Sequence, residues 1–254
     1  MLKVELHAHT ALDPADYIPH STRQLIDRAA ALGYAALAVT LHDRYYDPAE
    51  DTAYAGARGI VLIAGVERTI QRRHLLLLNF PAACVEVSTF DDLRALRRRH
   101  PAGLVVAPHA FYPIASAMNG DLERHADVVD ALEVNAMFTG RLNFNRRAIA
   151  WAQAHGKPLV GNTDLHLLQQ LGTTYTLVDA PPDPTAICEA IRAGRAQVRS
   201  AALPMHRAAY LFSLAAALGV VGRARRALRG EPHSGCRDGA ASAESGDNRP
   251  EERG

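Results

Sequence analysis

Apolar and polar positions alternate along the opening stretch LKVELHAH, with Leu2, Val4 and Leu6 on one side and Lys3, Glu5 and His7 on the other. A period of two marks a strand. The other strand candidates are short, nearly continuous apolar runs, as expected where a sheet is covered on both faces. They follow residues 3–6 at 35–40, 60–66, 74–79, 104–107, 129–135, 158–161 and 174–178. Helical patterns lie between them. STRQLIDRAAALGY offers Ser21 or Thr22 as N-cap, places Leu25, Ile26, Ala29 and Leu32 on one face and stops at Gly33. STFDDLRALRRRHP is capped by Ser88 or Thr89 and carries acids in its first turn and arginines in its last, which suits the helix dipole. NFNRRAIAWAQAHGKP and DPTAICEAIRAG end on Gly156 and Gly194. Strand and helix in alternation predict one α/β domain over residues 1–200 with a mainly parallel sheet.

The pattern changes after residue 200. AAYLFSLAAALGVVG, residues 208–222, is followed by RARRALR. The run is shorter than the ~20 residues that cross a bilayer. It predicts an apolar and basic helix over 201–228 packed on the body, with weak membrane association through 208–222 as the lesser alternative. Residues 229–254 are small, polar and charged and predict a disordered tail, which leaves His233 and Cys236 outside any site.

Composition narrows the function classes. A chain of 254 residues buries a large core. A formal net charge of +1 argues against an electrostatic grip on nucleic acid as the main task, so no stable nucleic-acid partner is expected. The cysteines, Cys84, Cys188 and Cys236, are far apart and predict free thiols in a reducing compartment. No apolar h-region follows Met1, and a cytoplasmic location is expected.

Chemistry enters through the histidines. His7, His9, His42, His74, His109 and His166 fall at or just beyond strand ends, and Glu67 and Asp164 share that placement. Strand ends in parallel α/β folds face one mouth. Each residue alone is an ordinary polar side chain; the set predicts a metal centre. Nitrogen and carboxylate donors without cysteine suit Zn²⁺, Mn²⁺ or Fe²⁺. So many donors exceed a structural zinc site and predict two or three divalent ions with positions open to water and substrate. His100, His125 and His155 fall at helix ends, where histidine caps carbonyls.

In their order and spacing, HAHT, TLHD, GVE followed by His74, PHAFYP, EVNA and GNTDLH give the first 200 residues a strong resemblance to the PHP (polymerase and histidinol phosphatase) superfamily. The resemblance implies a distorted (β/α)7 TIM-like barrel with its metal site at the C-terminal ends of the strands. It implies one ion on His7, His9, Glu67 and Asp164. It implies a second on His42 and His166 with an early-loop residue, Asp13 before Asp16 or His20. A third would be held by Glu67, His74 and His109. The chain departs from the family at Leu41, where Thr-Asp-His is usual; Asp43 is a substitute by position. The implied activity is hydrolysis of a small phosphomonoester or nucleotide by a hydroxide bridging two ions. Glu67 and Asp164 stand at the reacting centre, with Asp164 or a metal-bound water as general acid. Arg141, then Arg44, is the candidate phosphate clamp, Arg68 a third, and Tyr112 and Phe111 candidate pocket walls. An oligonucleotide exonuclease is the alternative within the same chemistry, disfavoured by an aromatic content of 6%. Amide hydrolysis ranks lower because neither Lys3 nor Lys157 is placed to bridge ions. A catalytically weakened metal-binding scaffold has only Leu41 in its favour.

Overall fold

The structure is a computed structural model that describes residues 1–229. In chain order its elements are β1 (Leu2–Ala8), α1 (Thr22–Ala31), β2 (Ala36–Val39), α2 (Thr52–Gly56), β3 (Val61–Ile63), β4 (Gly65–Ile70), β5 (Arg73–Leu78), α3 (Phe90–Arg99) and β6 (Leu104–Ala107). There follow α4 (Asp121–Arg124), β7 (Ala131–Asn135), α5 (Asn145–Ala154), β8 (Leu159–Asn162), β9 (Thr174–Val178), α6 (Pro184–Arg192), β10 (Ala196–Ser200) and α7 (Met205–Arg229). Residues 230–254, with His233, Cys236 and the expected tail, lie outside the described residues.

The strands form two five-stranded sheets, β10-β9-β1-β2-β3 and β4-β5-β6-β7-β8. Among the described residues no closed barrel forms, which corrects the expected (β/α)7 closure. The expected strand over 60–66 is two strands, because the chain leaves the first sheet after Ile63 and enters the second at Gly65. Pairing is mixed, not mainly parallel: β1-β2, β2-β3, β6-β7 and β7-β8 are parallel, whereas β1-β9, β9-β10, β4-β5 and β5-β6 are antiparallel. Sequence pattern missed β10, whose AQVRS has two apolar residues and lies half exposed at a sheet edge.

The sheets meet at two seams. At one, the chain just after β2 touches β4 through a parallel bridge, His42 to Glu67, and an antiparallel one, Tyr46 to Gly65. At the other, β1 reaches the loop after β8 through the bridge Ala8 to Leu165. Further along that second seam a side chain replaces the ladder: Thr176 Oγ1 accepts from Gly161 N at 2.8 Å and donates to Gly161 O at 3.0 Å. Both seams need glycine for close approach. A Cβ on Gly65 would lie 3.1 Å from Val39 O, and one on Gly161 would lie 2.8 Å from Tyr175 O.

The continuous apolar runs are explained by cover on both faces. In β5, Leu76 and Leu78 face an interior shared with Val4, Leu6, Ala36 and Ile63 of the first sheet, and Ile187 and Ile191 of α6 pack into the same cluster. Leu75 and Leu77 face outward to Leu93 and Leu96 of α3 and Trp151 of α5. The outer face of the first sheet packs on Leu25, Ile26 and Ala29 of α1. Helix starts follow sequence. Ser21 with Gln24 and Thr89 with Asp92 form capping boxes, and Asp183 caps α6 with Pro184 in its first turn. His100, His125 and His155 are C-cap residues.

α7 has 25 residues, longer than its apolar run. Its Met205–Gly222 stretch is long and apolar enough to cross a membrane by length and composition. Ala208 and Leu211 are buried against Leu167 and Leu203, whereas Tyr210, Phe212 and Val220 are exposed.

Leu77 is fully buried between β5 and α3. Leu77→Ala is expected to destabilise the metal-free protein by about 2–5 kcal/mol, read as a lowered urea midpoint at unchanged m-value.

Candidate metal centre

β1 delivers His7 and His9 on one side of the strand, and both are fully buried. Glu67 comes from inside β4, its backbone fixed by the His42 bridge: Glu67 N donates to Leu41 O, and Asp43 N donates to Glu67 O. His74 is the second residue of β5, opposite Thr69. His109 and Asp164 follow β6 and β8 with φ of +31° and +50°. Such left-handed backbone is uncommon for residues with a Cβ and clusters at functional sites. Asp43, at φ +50°, is a third case beside the site.

The Glu67 carboxylate is 1% exposed and faces five imidazoles. Its Oε1 lies 2.7 Å from His74 Nδ1 and 3.1 Å from His109 Nε2. Its Oε2 lies 3.3, 3.4 and 3.2 Å from the Nε2 atoms of His7, His9 and His42. Asp164 Oδ1 stands 3.3 Å from both His7 Nε2 and His9 Nε2. These separations match a tetrahedral ligand set, since donors ~2.0–2.1 Å from one zinc lie about 3.3–3.4 Å apart. His9 Nε2 is buried without a hydrogen bond among the described residues, although it sits between two carboxylates. A lone pair so placed fits a cation. The donor atoms of His7, His9, Glu67 and Asp164 all lie within 4.8 Å of one another, as do those of His42, Glu67 and His74 and those of His9, Asp13 and His42. Glu67 belongs to the first two sets, so its two oxygens can serve neighbouring ions.

The early-loop candidates occupy different places. Asp13 Oδ2 accepts from His9 Nδ1 at 2.8 Å and from His42 N at 3.0 Å, while its Oδ1 accepts from Ala15 N and Asp16 N. Asp16 Oδ2 lies 3.2 Å from His166 Nε2 and 3.9 Å from His42 Nδ1. His20 Nε2 donates to His9 O and steadies the strand end. Leu41 is buried in the core around α1. Asp43 does not take over the absent acid's place beside His42: its Oδ1 accepts from Arg68 Nη1 at 2.6 Å and Thr69 N at 2.7 Å. Asp13 instead accepts from the backbone N of His42.

Glu133 on β7 is the important residue that sequence reasoning did not single out. It is fully buried and has four donors: His7 Nδ1 at 2.8 Å, Asn162 Nδ2 at 3.1 Å, Asn135 Nδ2 at 2.9 Å and His109 N at 3.1 Å. The His7 contact fixes the tautomer, with hydrogen on Nδ1 and the Nε2 lone pair turned to Glu67 and Asp164. Asp13 does the same for His9. An acid inside the apolar run VVDALEVNA was the available signal. The arginines stand apart. Arg44 Nη1 donates to Leu12 O, Arg68 is held by Asp43 and Val87 O, and Arg141 is exposed.

The electrostatics of the cluster are dominated by carboxylates and imidazoles facing one another in a buried space. Burial disfavours ionised Glu67, but His7, His42 and His109 outweigh it and hold its pKa well below the carboxylate range. Burial likewise opposes ionisation of Asp13 and Asp164, and their histidine neighbours overcome it. For His7, burial is outweighed by Asp164, Glu133 and Glu67; for His9, by Asp13, Asp164 and Glu67; both pKa values stand well above the ordinary imidazole value. His42 and His109 are raised as well, with Glu67 the first cause opposing burial.

A family model described as PHP-associated matches residues 143–196. The DNA polymerase III PolC-type of Streptococcus pyogenes is 32% identical over 120 residues, 47% of this chain and 7% of that protein. This chain thus spans a small part of that relative. A two-domain protein of Bacteroides vulgatus containing a predicted PHP-like metal-dependent phosphoesterase is similar in structure, with TM-score 0.59 and 20% identity over 78% of this chain and 64% of that one. PsfC of Pseudomonas syringae gives TM-score 0.58 and 18% identity over 90% of this chain and 98% of that one. At such identities these are likenesses of fold.

Two outcomes are expected. Glu133→Gln is expected to weaken Mn²⁺ or Zn²⁺ affinity about 10–100-fold, read by competition with a chelating dye. The second concerns pH. Raised histidines stabilise the metal-free fold below about pH 6.5, and that contribution is lost as pH rises through their folded values. The depressed acids act above about pH 4, and their contribution is lost as pH falls towards their folded values. Metal must displace the imidazole protons. The gain in Tm on adding Zn²⁺ is therefore expected to grow between about pH 5.5 and 8, measured by calorimetry.

Proposed function

We propose that this chain is a metal-dependent phosphoester hydrolase of the PHP superfamily that acts on a small phosphomonoester. One observation carries the reading: the buried Glu67 carboxylate faces five imidazoles, with Asp164 beside two of them. The likeness to the Bacteroides vulgatus protein, which contains a predicted PHP-like metal-dependent phosphoesterase, supports the same reaction class.

His7, His9, Glu67 and Asp164 would hold one divalent ion. Glu67 with His42, His74 and His109 would hold its neighbour, and His42, His166 and an early-loop aspartate supply donors for a third. Zn²⁺, Mn²⁺ and Fe²⁺ all suit this donor set. Bound ions there supply Lewis acidity and a water acidified to near neutral pH. The chain's own residues position and exclude. Glu133 and Asp13 hold the two β1 imidazoles with Nε2 facing the cluster. Asp164 is held ionised by His7, His9 and His166, which suits a ligand better than a proton donor. Hydrolysis breaks the P–O bond to the leaving oxygen and forms one from water, whose proton ends on the leaving group. Arg44 is engaged with the Leu12 carbonyl, so Arg141 is the freer candidate to meet a phosphate.

The test is metal analysis of the purified protein with hydrolysis of p-nitrophenyl phosphate in Mn²⁺, comparing wild type with His9→Ala and Glu67→Gln. Each variant is expected to lose at least ~100-fold in kcat/KM and to bind fewer ions, a larger effect than removal of an outer partner. Full turnover in both variants would overturn the assignment.

A further inference from the structure

A pocket of about 430 Å³ opens directly beside the cluster, with His109 and Asp164 in its wall. The rest of its lining is almost entirely apolar. Tyr112 and Phe144 form one side with ring centroids 5.3 Å apart, and the Tyr112 hydroxyl is engaged as a donor to Met137 O and Asn145 Oδ1. Ile114, Leu142 and Phe212 belong to the same wall while 44%, 56% and 54% exposed. Large apolar side chains left that exposed and grouped around one concavity mark a binding surface. Among the described residues that line the pocket there is no lysine or arginine, and Arg141, between Thr139 and Leu142, is not in the wall. The pocket thus offers apolar area next to the reacting centre and no countercharge for a second anionic group. Phe212 comes from α7, so the helix beyond the α/β body completes this wall.

We infer that this pocket receives the organic part of the substrate, and that this part is an uncharged, mainly apolar alkyl or aryl group carried on a single terminal phosphate. The inference rests on the phosphoesterase reading for the placing of the phosphate, and it separates the substrate from oligonucleotides and nucleoside polyphosphates, whose further phosphates would meet no cation in the lining, Arg141 at its edge being left to the reacting phosphate.

The experiment measures binding and turnover separately. Alkylphosphonates from ethyl to hexyl are titrated calorimetrically into the Mn²⁺-loaded full chain. Affinity is expected to rise about three- to fourfold per methylene, as for burial of each CH₂. 5-Carboxypentylphosphonate is expected to lose that gain, and so is hexylphosphonate on Leu142→Glu or Phe212→Ala, both changes at exposed positions outside the metal cluster. In turnover, hexyl phosphate is expected to exceed glycerol 1-phosphate at least tenfold in kcat/KM; both leaving groups are primary alcohols, so the ratio reports on the pocket. Affinity independent of chain length, absence of phosphonate binding, or equal affinity for the carboxylated probe overturns the inference. Chain-length-dependent binding with no hydrolysis of any monoester overturns the phosphoesterase reading and leaves the pocket assignment standing.

Discussion

A single buried carboxylate organises this protein. Glu67 is nearly inaccessible to water, and an isolated ionised acid in that position would be strongly disfavoured. Five imidazoles from β1, the end of β2, the start of β5 and the turn after β6 converge on its two oxygens. None of these segments is near the others in sequence. The fold must bring them within hydrogen-bonding reach, and any displacement leaves a buried charge without partners.

The seams explain how that convergence is built. A fully laddered barrel would carry regular pairing through every strand junction. Here the junctions are reduced to isolated bridges, and two of the three among the described residues involve His42 with Glu67 and Ala8 with Leu165. The first names two candidate ligands outright. The second lies between His7 and His9 on one side and between Asp164 and His166 on the other. Side chains from paired strands, such as Glu67 and His74, and from the segments just past strand ends meet there, with the left-handed backbone of His109 and Asp164 as the local cost.

Behind the donors stands a second set of buried acids. Glu133 and Asp13 each accept from the far nitrogen of a β1 histidine, and each is satisfied by other donors as well. Buried polar groups of this kind are tolerable only when fully partnered. Their function is geometric: they choose the tautomer and aim the lone pair. The apolar pocket beside them is the opposite environment, and the contrast places charge chemistry on one side of Asp164 and apolar contact on the other.

Much of this was legible in the chain. Strand cores at 104–107 and 174–178, the capped starts of α1 and α3, and the glycine stops follow from local pattern and cap chemistry, which depend on near neighbours alone. The clustering of ligand-type residues at strand ends was legible for the same reason, since a strand fixes the direction of i and i+2 side chains. The split of 60–66 was not, because Ile63 and Gly65 read alike until two different sheets claim them. Nor was Glu133, whose importance lies in a contact with His7 across 126 positions. The place of Asp13 against His9 and His42, the engagement of Asp43 with Arg68, and the approach of Phe212 to the pocket were equally hidden. By itself the sequence determined most of the elements and the inventory of donors, because those are set by local sterics and side-chain chemistry. The tertiary structure alone decided which donors share a centre and which merely hold others in place, because that depends on distances between segments with no short-range tie.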